Sequence, residues 1–336
     1  MPLPLLVPIA LGALGLFGAG KAVKAAVDSN EADDIGKSAE RIASEADKNL
    51  EENKQSCNDK LARYGEKKLQ ACQTNIQQFV DLFGQLNNVE IAESPELSNL
   101  RIGKFSEVAL SELKHSCSFA SDFAGGAAAG AVGGALTAFG AYGGTMMLAS
   151  AGTGTAISAL SGVAATNATM AWLGGGTLAA GGLGVAGGTM VLGALVAGPA
   201  LLIFGSVLGA SASKKLDQAR ANLEKARTYE EEVEGVISKL QMIQEVTDLA
   251  SNTLSNLRGR LRRANGKLEE VIEQFGTDFS AYSQKAKNKV FVAVKYAQLV
   301  KALIDTPILN EDGSLVEDAS AKFSDFQSAL QPATAG

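Results

Sequence analysis

Histidine and tryptophan each occur once in 336 residues, and cysteine three times. A single His115 leaves no second imidazole for a His–His pair, which excludes histidine-rich zinc sites. Cys57, Cys72 and Cys117 are odd in number and lack Cys-x-x-Cys spacing. They read as reduced, partly buried small hydrophobes and favour a reducing compartment. Aromatics are 6% of the chain, so large core-filling side chains are scarce although hydrophobic residues reach 46%. That apolar content is carried by Ala, Leu and Val, beside 37 glycines. Small apolar residues suit close helix–helix packing, in lipid or in a long bundle. The net charge of −6 gives no general attraction to nucleic acid or anionic lipid.

The most extensive absence is local. Residues 123–213 contain no Asp, Glu, Lys, Arg or His, and they hold 23 of the glycines. A linker of this glycine content would lack the Leu, Met, Val and Phe found here. The length permits roughly two to four bilayer crossings of about 20 residues each. The clearest is Thr189 to Ala210, with Pro199 as a tolerated kink. Small residues recur every four positions: Gly126, Gly130 and Gly134 continue to Ala138, and Gly176, Ala180, Gly184 and Gly188 form a second row. Each row lies on one helix face and makes a groove for a second backbone, a glycine-zipper arrangement. Each glycine weakens a water-exposed helix by about 1 kcal/mol relative to Ala, so packing or lipid must compensate. Thr166, Asn167 and Thr169 suit a turn between hairpin halves. Trp172 or Tyr142 then sits at a membrane interface, with core packing as the other reading of Trp172.

Four further blocks surround this head. Residues 1–27 are apolar to Gly20, then carry Lys21 and Lys24; no basic residue precedes the apolar run, unlike a secretory signal. Pro2, Pro4 and Pro8 delay helix entry, so this block reads as a short apolar helix lying on or in a membrane, or docked on the rest of the protein. Residues 28–122 form a first helical arm, with Leu69, Cys72, Ile76, Phe79, Phe83 and Leu86 on one face and Ile35, Ala39, Ile42 and Ala46 in a thinner stripe. Pro95 and the polar residues around it interrupt that arm. Residues 214–305 form a second arm. Val233, Leu240, Thr247, Leu254, Leu261, Leu268 and Phe275 repeat every seven, and the first six are followed three later by Val236, Ile243, Ala250, Leu257, Ala264 and Val271. This is the a/d seam of a coiled coil or long bundle. Residues 306–336 contain an extended–turn–extended element around Asp312-Gly313 and a frayed tail. The resulting expectation is an all-α fold in which two long antiparallel helical arms bracket a glycine-rich apolar hairpin head.

No catalytic constellation emerges, so neither an enzyme nor a cofactor is expected. Gly182-x-Gly184-x-x-Gly187 matches the dinucleotide fingerprint, but no strand precedes it and no acidic residue follows at the required distance. Arg258, Arg260, Arg262, Arg263 and Lys267 straddle the seam and read as a solvated face rather than a nucleic-acid surface.

The order of parts resembles two families of helical membrane-active proteins. One is the cytolysin A type of pore-forming toxin, with long helices bracketing an apolar tongue. The other is the apolipoprotein L type, with an apolar hairpin inside amphipathic helices; residues 164–205 are similar to glycine-rich segments of bacterial proteins of that sort. The resemblance implies a soluble or peripheral form that converts to an inserted, oligomeric one. The functional expectation is therefore a protein that permeabilises or remodels a bilayer as a homo-oligomer, associated with the membrane from the cytoplasmic side and having a soluble cytoplasmic form. The alternative is a membrane-anchored coiled-coil scaffold or sensor whose arms recruit a protein partner.

Overall fold

A computed structural model describes residues 19–89, 105–126, 132–142, 212–310 and 313–330. Its regular elements are helical throughout these residues. They are α1 (Ala19–Gln70), a π-helical segment (Ala71–Ile76), α2 (Gln77–Phe83), α3 (Glu107–Gly126), α4 (Val132–Tyr142), α5 (Ala212–Phe275), a 3-10 turn (Phe279–Ala281), α6 (Gln284–Asp305) and α7 (Ala319–Ser328). The β-type pairings among the described residues are two isolated bridges, Asn87 with Asp278 and Leu309 with Leu315. The apolar N-terminal block is described only from Ala19, where α1 begins.

The heptad seam explains why α5 runs unbroken for 64 residues. Leu240, Leu254, Leu257, Leu261 and Leu268 are fully buried, as is Ala250. Thr247 sits in the same seam without an unmet hydroxyl, because its Oγ1 donates to Ile243 O at 2.7 Å. Phe275, the last seam position, is 48% exposed. The helix stops there because Gly276 takes φ +77°, a left-handed cap open to glycine without strain.

The two arms run parallel, which corrects the antiparallel expectation. Partners on α5 advance with those on α1: Glu31 pairs with Arg220 and Asp47 with Tyr229. Further along, Ser56 donates to Gln244, Lys60 pairs with Asp248, and Asn265 donates to Asn75 O. The reason lies in the first arm, which reverses within itself. Past α2 the chain returns as α3, antiparallel to the helix it left: Phe105 meets Phe79 and Phe83 edge-on at 6.1 and 5.1 Å, while Gln73 Nε2 donates to Ala120 O at 2.9 Å. The first arm therefore contains helices of both directions, and α5 runs with α1 rather than with α3.

The chain divides into two compact units. In the first, the described residues are 19–49 and 212–234. Ala32, Leu216 and Ala219 are buried together with Ile35 against them, a thin core of mostly small side chains. The second unit contains the remaining described residues. In it the Asn87 N–H donates to Thr277 O at 2.8 Å and the Phe279 N–H to Asn87 O at 3.1 Å, so the ends following α2 and α5 are tied at one level. There α6 runs back along α5, with Lys289 paired to Glu270 and Arg260 Nη1 donating to Tyr296 Oη at 3.3 Å.

Candidate functional site

Within the second unit, α4 is the one described helix lying wholly inside the charge-free segment, and its place in the bundle defines the site. Ala138, Phe139 and Ala141 have no exposed surface and Tyr142 has 1%. An 11-residue helix with two glycines before its midpoint has little stability of its own in water. Tertiary contacts must hold it, and they concentrate at its C-terminal half.

The first contact is a backbone crossing. A Cβ built on Gly65 of α1 would lie 2.0 Å from Leu136 O, and one on Gly140 of α4 would lie 2.0 Å from Leu61 O. Leu61-x-x-x-Gly65 and Leu136-x-x-x-Gly140 are the same spacing on both helices, so each leucine carbonyl rests over the other helix's glycine. Only residues without a Cβ allow this approach, which brings many atoms into dispersion contact.

The second contact neutralises the end of α4. The last carbonyls of a helix lack intrahelical partners and carry partial negative charge. Lys68, fully buried, donates from Nζ to Phe139 O at 3.2 Å and Gly140 O at 3.1 Å. The Ile308 and Leu309 N–H groups donate to Ala141 O at 2.7 and 3.2 Å. The Leu309–Leu315 bridge holds that donor pair in position, with Gly313 at φ +81° in the turn that the Asp312-Gly313 pattern anticipates.

Lys68 stands in a sparse polar setting. Its ammonium lies 4.5 Å from the Tyr64 ring centroid and 5.7 Å from that of Phe139. Burial lowers its pKa from 10.5 to about 7, partly opposed by the charge of Asp305. Asp305, the last residue of α6, pairs with Lys301, and burial raises its carboxyl pKa against the pull of both lysines. Tyr64 Oη and Asp305 Oδ1 are buried without a hydrogen bond among the described residues. One fully buried cation, a partly exposed Lys301–Asp305 pair and a helix C-terminus thus share a site.

Of the candidate packing residues, Gly126 ends α3 and Gly134 lies in α4. Gly130, Trp172, Gly176, Ala180, Gly184, Gly188 and Pro199 fall outside the described residues. Ala138, the continuation of the first row, is buried. The seam residues Val233, Leu240, Leu254, Leu261 and Leu268 are all buried to 1% or less exposure. The residues that fix α4 in place, Gly65, Gly140 and Lys68, were not among the candidates. A signal existed: Tyr64, Lys68 and Cys72 are spaced by four, which puts a lysine on the apolar stripe.

These features define an all-α protein of long packed helices whose charge-free segment contributes a helix buried over its C-terminal half. Comparison with protein-family models, curated proteins and solved structures gives no match.

Proposed function

We propose that this protein inserts its charge-free segment into a lipid bilayer and permeabilises or remodels it as a homo-oligomer, after a state in which the segment is sheltered by charged helices. The observation that carries this reading is the run of 91 residues, 123–213, without an ionisable side chain. Burial of such a run in hydrocarbon leaves no charge to desolvate, and its glycine rows permit backbone-to-backbone packing where lipid supplies no hydrophobic drive.

The setting of α4 supports a sheltered state. The side chains of its C-terminal half are buried, and its C-terminal carbonyls are capped by Lys68 and by two backbone N–H groups. Among the described residues no helix is long and apolar enough to cross a membrane. With 11 residues α4 reaches only ~16 Å against a hydrocarbon core of ~30 Å. A crossing that includes α4 therefore needs residues on either side of it and requires it to leave its present contacts.

The burial of the C-terminal half of α4 favours a second reading, a water-soluble bundle in which the glycine-rich segment is permanent core. Liposome dye release and vesicle flotation with the full chain, purified without detergent, separate the two. Leakage together with co-flotation is the expected result. A monodisperse protein that neither releases dye nor floats, across lipid compositions and pH, excludes the insertion reading.

A further inference from the structure

The basic cluster on α5 is divided by the fold. Arg260 turns to Tyr296 on α6, whereas Arg258 and Arg262, one helical turn apart, border a cleft of about 440 Å³ against the π-helical segment. A π-helical turn inside an α-helix is uncommon and is found disproportionately at functional sites. Here it buries Asn75, whose carbonyl accepts from Asn265 Nδ2 at 2.9 Å. Asn75 Oδ1 in turn accepts from Arg258 Nε at 2.9 Å, and Gln70 Oε1 accepts from Arg258 Nη1 at 3.4 Å. Those two neutral partners orient the guanidinium without neutralising it.

The charge of this cleft is unbalanced. The protein has 36 acidic residues, yet none lines the cleft. Among the described residues no carboxylate pairs with Arg258 or Arg262. Lys67, beside the cleft, donates to Ser251 Oγ at 2.7 Å and Ser255 Oγ at 3.4 Å, again to neutral acceptors. The carboxylate that this network touches, Glu66, accepts from Gln70 Nε2 rather than from a cation. Burial of Arg258, with the field of Arg262, disfavours its charge. An anion between the two guanidinia would relieve that repulsion, and planar guanidinia suit the oxygens of a phosphate group.

The rest of the lining sets the remainder of the ligand. The hydroxyls of Thr74 and Ser255 line the cleft: Thr74 Oγ1 lies 2.6 Å from Gln70 O and 3.2 Å from Asn75 Oδ1, and Ser255 Oγ donates to Ser251 O at 2.8 Å while accepting from Lys67 Nζ at 3.4 Å. Gln78 adds an amide, and no aromatic side chain is present to stack a base. Gly259 forms part of the wall, and a Cβ there would meet nothing within 4 Å.

We propose that this cleft binds a phosphate monoester carried on a small hydroxylated body, held by Arg258 and Arg262. The chemistry is shared by a free polyol phosphate and by a phosphomonoester lipid headgroup, and it does not depend on membrane insertion. The test is calorimetric titration of the full chain with glycerol 3-phosphate in chloride buffer at fixed ionic strength. Alongside it, flotation compares vesicles containing phosphatidic acid with vesicles carrying equal charge as phosphatidylserine. Three variants discriminate. Arg262→Gln removes a cation that makes no hydrogen bond or ion pair among the described residues, and is expected to weaken binding at least tenfold. Gly259→Met fills the cleft while improving helix propensity, so it should abolish binding with an unchanged or raised Tm. Arg260→Gln should bind as the wild type does. Saturable glycerol 3-phosphate binding without a phosphatidic acid preference assigns a soluble ligand; the preference for phosphatidic acid, lost in Arg262→Gln, assigns the headgroup. No saturable binding in either arm, or binding equal to wild type in Arg262→Gln and Gly259→Met, overturns the proposal.

Discussion

Gly65 and Gly140 are reciprocal: each occupies the place where the other helix's leucine carbonyl, Leu136 O or Leu61 O, would lie 2.0 Å from a Cβ. The atoms in the way are backbone, so a methyl group cannot be accommodated by turning a side chain. Gly140→Ala and Gly65→Ala must each push α4 off α1. Overpacking of this kind costs ~1–3 kcal/mol, partly offset by the better helix propensity of Ala. A net loss of ~1–2 kcal/mol is expected in urea denaturation. At Gly235 and Gly266 a Cβ would meet nothing within 4 Å. Alanine at either position should instead stabilise by ~0.5–1 kcal/mol. Equal effects at all four sites would show that the crossing does not hold α4.

Lys68 gives the protein a pH dependence with a defined sign. Unfolded, the lysine titrates near its ordinary value of 10.5; folded, it titrates at about 7. Between these values the unfolded chain binds more protons, so stability rises with pH. Well below pH 7 the lysine is charged in both states and its contribution is flat. The thiols act oppositely, since those of Cys57 and Cys117 are raised from 9.0 to about 12 and cost stability once unfolded thiols ionise near pH 9. The useful window is therefore pH 7 to 8.5. Across it, the stability of wild type relative to Lys68→Met should climb by as much as ~1.4 kcal/mol per unit. A constant difference would mean that Lys68 keeps its proton in the fold.

The same burial predicts slow thiol chemistry. Cys57, Cys72 and Cys117 are buried, and burial raises the pKa of every one of these thiols. At pH 8 a disulfide reagent meets almost no thiolate in the native protein. Colour from 5,5′-dithiobis-(2-nitrobenzoate) should appear only as fast as the bundle opens, and denaturant should release all three thiols at once. Rapid stoichiometric reaction in native buffer would contradict this.

Much of the fold was legible because periodicity reports burial directly. The seven-residue repeat from Val233 to Leu268 marked the buried face of α5, and the three-and-four pattern from Leu69 to Phe83 marked that of α1 and α2. Direction was less accessible. The polar break around Pro95 was read as an interruption, whereas α3 returns along the first arm, and a reversal changes the sense of everything after it. The site was hidden for another reason. Glycine rows spaced by four drew attention to Gly126, Gly130 and Gly134, but a close crossing needs one glycine on each partner. Gly65 lies in a polar helix where a single glycine carries no pattern. Lys68 lies on a helix rich in charge, and its two carbonyl acceptors, Phe139 O and Gly140 O, come from a helix 71 and 72 residues away.

Release of α4 and permeabilisation are linked by one experiment. If the docked α4 restrains the charge-free segment, a variant that weakens the dock raises the population of the released form. A loss of ~1.4 kcal/mol multiplies that population about tenfold. Gly140→Ala should therefore accelerate dye release from liposomes by about that factor, while Gly266→Ala, remote from the crossing and without a contact for its new methyl, should leave the rate unchanged or slow it. Leakage by all three proteins at one rate would separate permeabilisation from the departure of α4, placing insertion in other residues of the segment. Faster leakage in both variants would point to general instability rather than to the contact between Gly65 and Gly140.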